Sequence, residues 1–404
     1  MAHIEKRRGK YRARFADPLG RIQSRTFTRR GDAERFLREV EADRVRGLWV
    51  DPRDAEMPLA TWAAEFLLLS RRLAPTTQET YQRDLERYVL PRFGHYRLGQ
   101  LPADEIENWQ NDEIAAGIAP SSVHRHFRTL RRLLQVAVQK QKILANPCDR
   151  VDPPRVPKRE MTFLDWDEAV RLAEAHGDRY RGLIYLAVDS GMRWSELVGL
   201  RRGSVDLLYR KVRVTEQLVQ LADGSFHRKE PKTAAGVRSI TISTFTATVL
   251  AAHWDVYVRP AKDALVFTNG AGQPMASSSF LTHHFTKAQR AARVSCRFHD
   301  LRHTSVALAI QAGAHPKAIQ ARMGHSSINV TLERYGHLFP ELDAGIADAF
   351  GAALQEATAR RGSVVVADHS APDPRLGLPF APQDVGAGLG KTRSVAPSAS
   401  AVST

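Results

Sequence analysis

Apolar and basic residues alternate along KYRARFADPLGRIQSRTF, residues 10–27. Such alternation is typical of half-buried strands, and it predicts a β-hairpin that turns at residues 17–20. The hairpin would have an apolar side and a basic side: Tyr11, Ala13 and Phe15 against Lys10, Arg12 and Arg14. Helical spacing of Phe36, Leu37 and Val40 then predicts a helix from about Asp32 to Arg46. Residues 1–50 are therefore expected to form a small β-hairpin or sheet with one helix.

Helical spacing dominates the next segment, residues 57–147, with breaks at Pro91 and Gly117. The longest predicted helix follows Ser121, a residue type that caps helices. Its apolar positions face inward and its basic positions face outward: Val123, Phe127, Leu130, Leu134 and Val138 against Arg125, Arg128, Arg131 and Arg132. We expect an all-α domain over residues 57–147.

NPCDRVDPPRVPKRE, residues 146–160, is rich in proline and charge, which indicates a domain boundary and a linker over 148–160. Beyond it, helical patterns flank three strand-like segments, KVRVTEQLVQ, SFHRKEP and VRSITIS. This predicts a mixed, mostly α domain with a small antiparallel sheet over residues 161–360. The last segment, residues 361–404, is rich in Pro, Gly, Ala and Ser, and we expect it to be disordered. The predicted fold class is multidomain α+β.

The net charge indicates which class of partner the protein binds. The chain has 404 residues and a formal charge of +15, and its first thirty residues hold ten Lys and Arg against two acids. A polyanion is the expected partner, and we favour nucleic acid over a membrane because no long apolar segment or signal peptide is present. Two cysteines are too few for a disulfide framework, which favours the cytoplasm. No metal or other cofactor is expected. The candidate DNA-binding residues are Lys10, Arg12, Arg14, Arg25, Arg125, Arg128, Arg131 and Arg132.

Candidate chemistry lies in the third domain. FHDLRHT places His299 and Arg302 on the same side of a helix start, and SGMRWSEL places Arg193 beside a glycine. An arginine offers a planar fork of donors that matches phosphate oxygens. GHSS adds His325, ten residues before Tyr335. Singly, each of these residues is typical of a surface or capping position; their joint occurrence indicates a phosphodiester site. Glu196 is expected to orient Arg193 or to pack its helix rather than to act as a catalyst.

These residues occur in an order that resembles the tyrosine recombinases, the phage integrase family. SGMRWSELVGL, FHDLRHTSVALAIQAG and MGHSSINVTLERYGHL each resemble a block of the family, over residues 161–350. The resemblance also implies a lysine in a β-hairpin; Lys232 is the best match and Lys229 the alternative. The catalytic set implied is Arg193, Lys232, His299, Arg302, His325 and Tyr335, with Tyr335 as the nucleophile.

The resemblance implies a function for each domain. The N-terminal module would bind arm-type DNA, the helical domain would bind the core-type site, and the third domain would be catalytic. Tyr335 would cleave double-stranded DNA and form a 3′-phosphotyrosine, from which a second DNA end rejoins without ATP. A free phenol is only about 0.1% ionised at pH 7, so the arginines must stabilise the phenolate and His299 could accept its proton.

The implied protein is an integrase that integrates or excises a phage or mobile element. It would act as a homotetramer on DNA, with a possible host bending protein or directionality factor, in the cytoplasm and on the nucleoid. Two alternatives stay open: a type IB topoisomerase-like enzyme, which rejoins the same strand, and a DNA-binding regulator that does not cleave. The separate basic module favours a recombinase over a topoisomerase-like enzyme. The chemically competent residues at five motif positions argue against a regulator that does not cleave.

Overall fold

The structure is a computed structural model, and the residues it describes are 2–16, 20, 22–46, 50–157, 160–231, 233–339 and 343–360, without the side chains of 43, 44, 52 and 343–346. Three features predicted from the sequence fall on other residues: most of the hairpin turn at 17–20, Lys232, and the expected disordered segment 361–404. These lie outside the described residues and stay predictions.

The N-terminal part is a three-stranded antiparallel sheet, in the order β1-β2-β3, that packs against one helix. Its elements are β1 His3–Arg7, β2 Lys10–Ala16, β3 Ile22–Phe27 and α1 Arg30–Val45. The hairpin strands and the helix are confirmed, and Phe15 is buried against Phe36 of α1, with ring centroids 5.5 Å apart. The sequence analysis missed β1, because Ile4 is its single large apolar residue and one apolar position makes no periodic pattern.

Residues 52–139 form a helical bundle. Its helices are α2 Pro52–Ala55, α3 Leu59–Leu69, α4 Pro75–Asp84, α5 Leu90–Phe93, α6 Ala103–Ala115 and α7 Pro120–Gln139. Trp62 of α3 is buried, and its indole N–H donates to the Leu133 carbonyl of α7 at 3.1 Å. The predicted cap at Ser121 is wrong: α7 begins one residue earlier, at Pro120, with Ala119 as the N-cap. Proline suits the first helical position because it has no N–H to leave unpaired there.

The third part is mostly helical, with two small antiparallel sheets in the orders β4-β5-β8 and β6-β7. The strands are β4 Val205–Asp206, β5 Lys211–Val214, β6 Gln217–Gln220, β7 Phe226–Lys229 and β8 Arg238–Thr241. The helices are α8 Trp166–Glu174, α9 Gly177–Ser190, α10 Trp194–Val198, α11 Thr244–Tyr257, α12 Ser277–Phe280, α13 Thr286–Ala292, α14 Asp300–Gln311, α15 Pro316–Met323 and α16 Ile328–Tyr335. This arrangement confirms the predicted mixed, mostly α part with antiparallel strands.

Buried apolar side chains form separate clusters in the helical bundle and in the third part. One cluster runs from Leu59 to Val151 and another from Leu164 to Leu308. A smaller cluster packs the three helices α14, α15 and α16 together: Val306, Ile310, Ile319, Met323 and Tyr335. The chain divides after Phe339, and the unit that follows contains the helix α17, Asp343–Arg360. The exact domain bounds expected from the sequence stay a prediction.

Helix α9 ends at Ser190, and its C-cap, Gly191, contacts Met323 at the end of α15. Gly191 has φ +64°, in the left-handed region, and a Cβ at this position would clash with the Met323 thioether. The left-handed backbone conformation therefore favours glycine here, and a Cβ would in addition force the buried Met323 thioether to shift.

We predict that Gly191→Ala lowers the free energy of unfolding by about 2–4 kcal/mol, the sum of left-handed strain and overpacking. Chemical denaturation followed by tryptophan fluorescence would measure the change. Gly117→Ala is the matched control, because Gly117 has φ +84° but no atom lies within 4 Å of the point that its Cβ would occupy. Equal losses of stability for the two variants would show that the clash with Met323 does not matter.

Candidate active site

Arg302 lies at the centre of the candidate site, in the first turn of α14. Its side chain is 4% exposed, with Nη1 donating to the Gly191 carbonyl at 2.5 Å and Nη2 donating to the Met323 carbonyl at 2.6 Å. Burial, together with the positive charge of Arg193, lowers the pKa of Arg302 to about 9. The guanidinium therefore stays protonated at pH 7. Two of its five N–H donors are used by these carbonyls, and the others remain for an anion.

Arg193 follows two residues after Gly191 and forms the N-cap of α10. Its Nη1 donates to Oε1 of Glu196 at 2.9 Å, and its backbone N–H donates to Oε2 at 2.9 Å. The predicted role of Glu196 in orienting Arg193 is thus confirmed. The Arg193 side chain is 39% exposed, so its charged end is accessible from solvent. Gly191 thus links the two predicted arginines: Arg193 follows it in the chain, and Arg302 donates to its carbonyl.

Glu196 also binds a third arginine, which the sequence analysis missed. Arg238 of β8 donates to Oε2 of Glu196 at 2.8 Å and to the Arg322 carbonyl at 2.7 Å. Burial opposes ionisation of Glu196, but the hydrogen bonds and charges of Arg238 and Arg193 outweigh it and hold the carboxyl pKa below its ordinary value. In the sequence, Arg238 is one basic position in the alternating segment VRSITIS, which gives no sign of a buried ion pair.

His325 is placed by the tight end of α15. Gly324 has φ +65°, and a Cβ there would lie 2.8 Å from the Ala235 carbonyl, so the chain must turn on a glycine. His325 is 7% exposed, and its Nδ1 lies 2.9 Å from Oγ1 of Thr331. Burial first, then the charges of Arg302 and Arg193, lower its pKa to about 4. The imidazole is neutral at pH 7 and lies close to both predicted arginines.

Tyr335 is the last residue of α16, whose N-cap is Ser327. The tyrosine is 1% exposed, and its hydroxyl lies 2.6 Å from Nδ1 of His303. Burial raises the pKa of the phenol, while the charges of Arg302 and Arg334 act against this increase. The phenol is therefore protonated at pH 7 in the DNA-free structure.

The sequence analysis also missed His303. FHDLRHT contains two histidines four residues apart, which lie on one side of a helix, and only the first was counted. His299 is exposed just before α14, and its ring meets that of His303 edge to face, with centroids 5.0 Å apart. Partial burial and the charges of Arg302 and Arg193 lower the pKa of His299. The neighbour of the Tyr335 hydroxyl is thus His303.

The predicted lysine cannot be placed, because Lys232 lies outside the described residues. Its alternative, Lys229, is half-buried at the end of β7 and pairs with Gln217 of β6. The Ala235 carbonyl lies beside Gly324, which brings the turn after residue 232 next to the loop that carries His325. The choice between the two lysines stays open.

The four arginines predicted on the outer face of α7 lie in one cleft of about 720 Å³ between α4 and α7. Threonines from α4 line the opposite side: Thr76, Thr77 and Thr80. Arg125 pairs with Asp84 at 3.1 Å and Arg131 pairs with Asp149 at 2.8 Å. Within the described residues, Arg128 and Arg132 form no ion pair, and both are exposed.

The basic residues of the N-terminal sheet do not all share a face. The register pairs Arg12 with Thr26 and Arg14 with Ser24, on the face away from α1, as the alternation predicts. Arg25 pairs with Ala13 and so lies on the opposite face, where its guanidinium is 5.3 Å from the Phe36 ring centroid. The structure therefore separates Arg25 from the other predicted DNA-binding residues of this module.

In the part of the chain that the structure describes, no helix is long and apolar enough to cross a membrane. Over the same residues, no three His, Cys, Asp or Glu side chains are grouped to hold a metal ion.

Comparison with known proteins gives two matching family models and several relatives. The model of the phage integrase family matches residues 162–341, and that of the phage integrase N-terminal SAM-like domain matches residues 61–114. A putative prophage phiRv2 integrase of Mycobacterium tuberculosis is 30% identical over 349 residues, covering 84% of this chain and 92% of the relative.

Two solved structures have a similar fold. The Tn1549 transposon integrase in complex with transposon right end DNA has a TM-score of 0.62 at 22% identity, over 72% of this chain and 98% of that chain. A lambda integrase tetramer bound to a Holliday junction has a TM-score of 0.52 at 19% identity, over 80% of this chain and 95% of that chain. At these identities the likeness is one of fold.

The depressed histidine pKa values predict a dependence of stability on pH. His303 and His325 have pKa values of about 4 in the folded protein, against 6.5 for an ordinary histidine. Between these values the unfolded chain binds protons that the folded chain does not, so stability falls as the pH falls. We expect the melting temperature to decrease from pH 7 to pH 5, above the range where carboxylates titrate.

The combined variant His303→Asn and His325→Asn should show a shallower decrease over the same interval, whatever its absolute stability. An unchanged slope would mean that these two side chains do not account for the effect.

Proposed function

The chain belongs to the phage integrase family of tyrosine recombinases, and from this premise we propose how its site cleaves DNA. The protein is a tyrosine-type site-specific DNA recombinase, an integrase that integrates or excises a phage or mobile element. The observation that supports the proposed chemistry most is the grouping of Arg193, Arg302 and His325, with Arg302 also close enough to Tyr335 for its charge to act on the buried phenol. The sequence separates these residues by up to 142 positions.

We propose that Arg193 and Arg302 bind the non-bridging oxygens of the scissile phosphate. Arg193 has an accessible guanidinium fixed by Glu196, and Arg302 keeps unused donors after binding two carbonyls. Neutral His325 donates a third hydrogen bond from Nε2, since the Thr331 hydroxyl can donate to its Nδ1. Positive charge and donors held in place before the reaction stabilise the pentacoordinate transition state. His299, at the exposed start of α14, completes the set of donors.

The reaction then exchanges one phosphoester for another. The Tyr335 oxygen attacks phosphorus and loses its proton, the bond from phosphorus to the 5′ oxygen breaks, and that oxygen leaves with a proton from the hairpin lysine. The products are a 3′-phosphotyrosine and a free 5′-hydroxyl. Because the ester bond is kept, a 5′-hydroxyl from a second strand can reverse the step without ATP.

Double-stranded DNA is the partner, and the basic surfaces indicate where it binds. We assign the cleft lined by Arg125, Arg128, Arg131 and Arg132 to the core-type site, because arginines and threonine hydroxyls are suited to phosphate contacts. We assign Lys10, Arg12 and Arg14 to arm-type DNA, and the different face of Arg25 makes it the weakest member of that set. The module bounds that accompany this assignment are 1–50, 57–147, a linker at 148–160, and 161–360.

Recombination between two sites requires four active tyrosines. We propose that the protein acts as a homotetramer on DNA, in the cytoplasm and on the nucleoid, with a host bending protein or directionality factor as a further partner. The lambda integrase tetramer on a Holliday junction is an assembly of similar fold.

The nucleophile is tested with a nicked duplex built from DNA that flanks the gene of this protein. Wild type is expected to form an adduct that survives denaturation and migrates slowly on a gel. Tyr335→Phe should bind the same duplex with equal affinity and form no adduct, because it lacks only the hydroxyl. Adduct formation by Tyr335→Phe would mean another nucleophile, and binding by wild type without an adduct would favour a regulator that does not cleave.

The DNA face is tested with the double variant Arg128→Ala and Arg132→Ala. Each phosphate that is no longer neutralised by an arginine should reduce the slope of log K against log salt by about 0.9, so we expect a reduction of about 2 together with weaker binding. Arg181→Ala is the control, because Arg181 pairs with Glu174 and Asp178 outside the cleft. Equal salt dependence for both variants and wild type, measured by fluorescence anisotropy, would exclude the cleft as the DNA site.

A further inference from the structure

His303 touches the reacting oxygen, yet it is not among the six residues to which the sequence assigns a role. Its Nδ1 lies 2.6 Å from the Tyr335 hydroxyl, and its side chain is 5% exposed inside α14. The two rings are 5.7 Å apart, at an angle of 54°. A contact this short between two buried polar groups is a hydrogen bond, and through it the His303 imidazole holds the Tyr335 hydroxyl in place.

The direction of this hydrogen bond follows from the state of each group. Burial raises the pKa of the Tyr335 phenol, so the phenol keeps its proton at pH 7. Burial first, then the charges of His299 and Arg334, lower the pKa of His303 to about 4, so the imidazole is neutral. Between a neutral phenol and a neutral imidazole, the phenol is the stronger acid and the imidazole nitrogen the stronger base. The Tyr335 O–H therefore donates to the lone pair on Nδ1.

The other groups around the phenol are less suited to take its proton. Arg302 and Arg334 are cations without a lone pair to offer: both stabilise a phenolate by charge, and Arg334 also donates a hydrogen bond to it. His325 has its Nδ1 engaged with Thr331. His299 lies at the exposed start of α14 and meets the ring of His303. Within the described residues, His303 is the group in hydrogen-bond contact with the hydroxyl that can accept a proton.

We propose that His303 is the general base of DNA cleavage, a role that rests on the proposed function of Tyr335. The Oη–H bond of Tyr335 breaks as an Nδ1–H bond forms on His303, while the oxygen bonds to phosphorus and the 5′ oxygen leaves with a proton from the hairpin lysine. In rejoining, a 5′-hydroxyl attacks phosphorus and gives its proton to the now neutral hairpin lysine, the bond from phosphorus to the Tyr335 oxygen breaks, and the imidazolium returns its proton to that oxygen.

The charges around His303 explain why DNA is needed for this transfer. Without DNA, burial first and then His299, Arg334 and Arg297 disfavour a positive charge on His303, while Asp300 favours it. Asp300 is itself paired with Arg297 at 2.6 Å. A phosphate that enters beside Arg193 and Arg302 adds negative charge to the site and increases the basicity of the imidazole. Proton transfer is thereby coupled to the presence of the substrate.

The test separates proton acceptance from hydrogen bonding with two substitutions. His303→Asn places Oδ1 where Nδ1 was, so it can accept the hydrogen bond but cannot hold the proton at neutral pH. His303→Leu removes both functions at similar volume. The measurement is the first-order rate of adduct formation on a nicked duplex that is already bound, with DNA affinity measured separately.

Each variant is tested on two duplexes, one with the normal 5′ oxygen and one with sulfur in its place. A thiolate leaves without a proton, so sulfur replaces the need for a general acid but not for a general base. We expect both His303 variants to form adduct about 100-fold or more slowly on both duplexes, with unchanged DNA affinity. Lys232→Ala and Lys229→Ala are both tested, and the variant that removes the general acid should recover on the sulfur duplex. His253→Gln is the control for a buried histidine outside the site and should match wild type.

The outcomes distinguish the proposals. If His303→Asn keeps the wild-type rate, the hydrogen bond suffices and the general-base role is overturned. If His303→Leu is faster than wild type, His303 restrains the nucleophile instead. If the His303 variants recover on the sulfur duplex, His303 acts as the general acid that protonates the leaving 5′ oxygen, and the general-base role is overturned. If wild type itself forms no adduct, the proposed function fails, and the role of His303 with it.

Discussion

The structure of the site depends on one buried cation. Arg302 donates to the carbonyls of Gly191 and Met323, which end two different helices, and is itself almost excluded from solvent. Burying a guanidinium is costly unless its donors are satisfied, so the two carbonyls stabilise the charge while the arginine fixes the two helix ends. Because Arg193 follows the first helix end and His325 follows the second, one side chain sets the distance between them. Arg302 thus both fixes the structure of the site and is one of the residues proposed to bind the phosphate.

A second set of buried charges holds the rim of the site. Glu196 accepts hydrogen bonds from Arg193 and Arg238, and Arg238 reaches onward to the Arg322 carbonyl. The carboxylate would be unfavourable in this position with either arginine alone, because the desolvation of a charge is offset only by close partners. The result is an accessible guanidinium, that of Arg193, with a fixed orientation. Such preorganisation is what binding a phosphate in a transition state requires.

Much of this arrangement could be predicted from the sequence. Period-two alternation identified the hairpin β2–β3, helical periodicity identified α7, and the motif residues Arg193, Arg302 and His325 lie close to one another, with Arg302 also near Tyr335. The hairpin and α7 follow from local periodicity, and the motif residues follow from short patterns of residue types. Both kinds of signal are visible in the linear sequence.

The rest depends on contacts between distant segments. Arg238 and Glu196 are 42 residues apart, and nothing local to Arg238 indicates a buried ion pair. His303 could have been identified from the sequence, because its spacing of four from His299 places both on one helix side. The position of Arg25 depends on strand register, since a direct cross-strand neighbour decides which face a residue occupies. Register cannot be derived from the basic pattern alone.

The central claim is that this site uses Tyr335 to form a covalent bond with DNA. The most direct measurement is mass spectrometry of the wild-type adduct after digestion with nuclease and protease. The account predicts a nucleotide joined through its 3′-phosphate to the peptide that contains Tyr335, with fragmentation placing the added mass on the tyrosine. A nucleotide on any other residue, or joined through a 5′-phosphate, would contradict it.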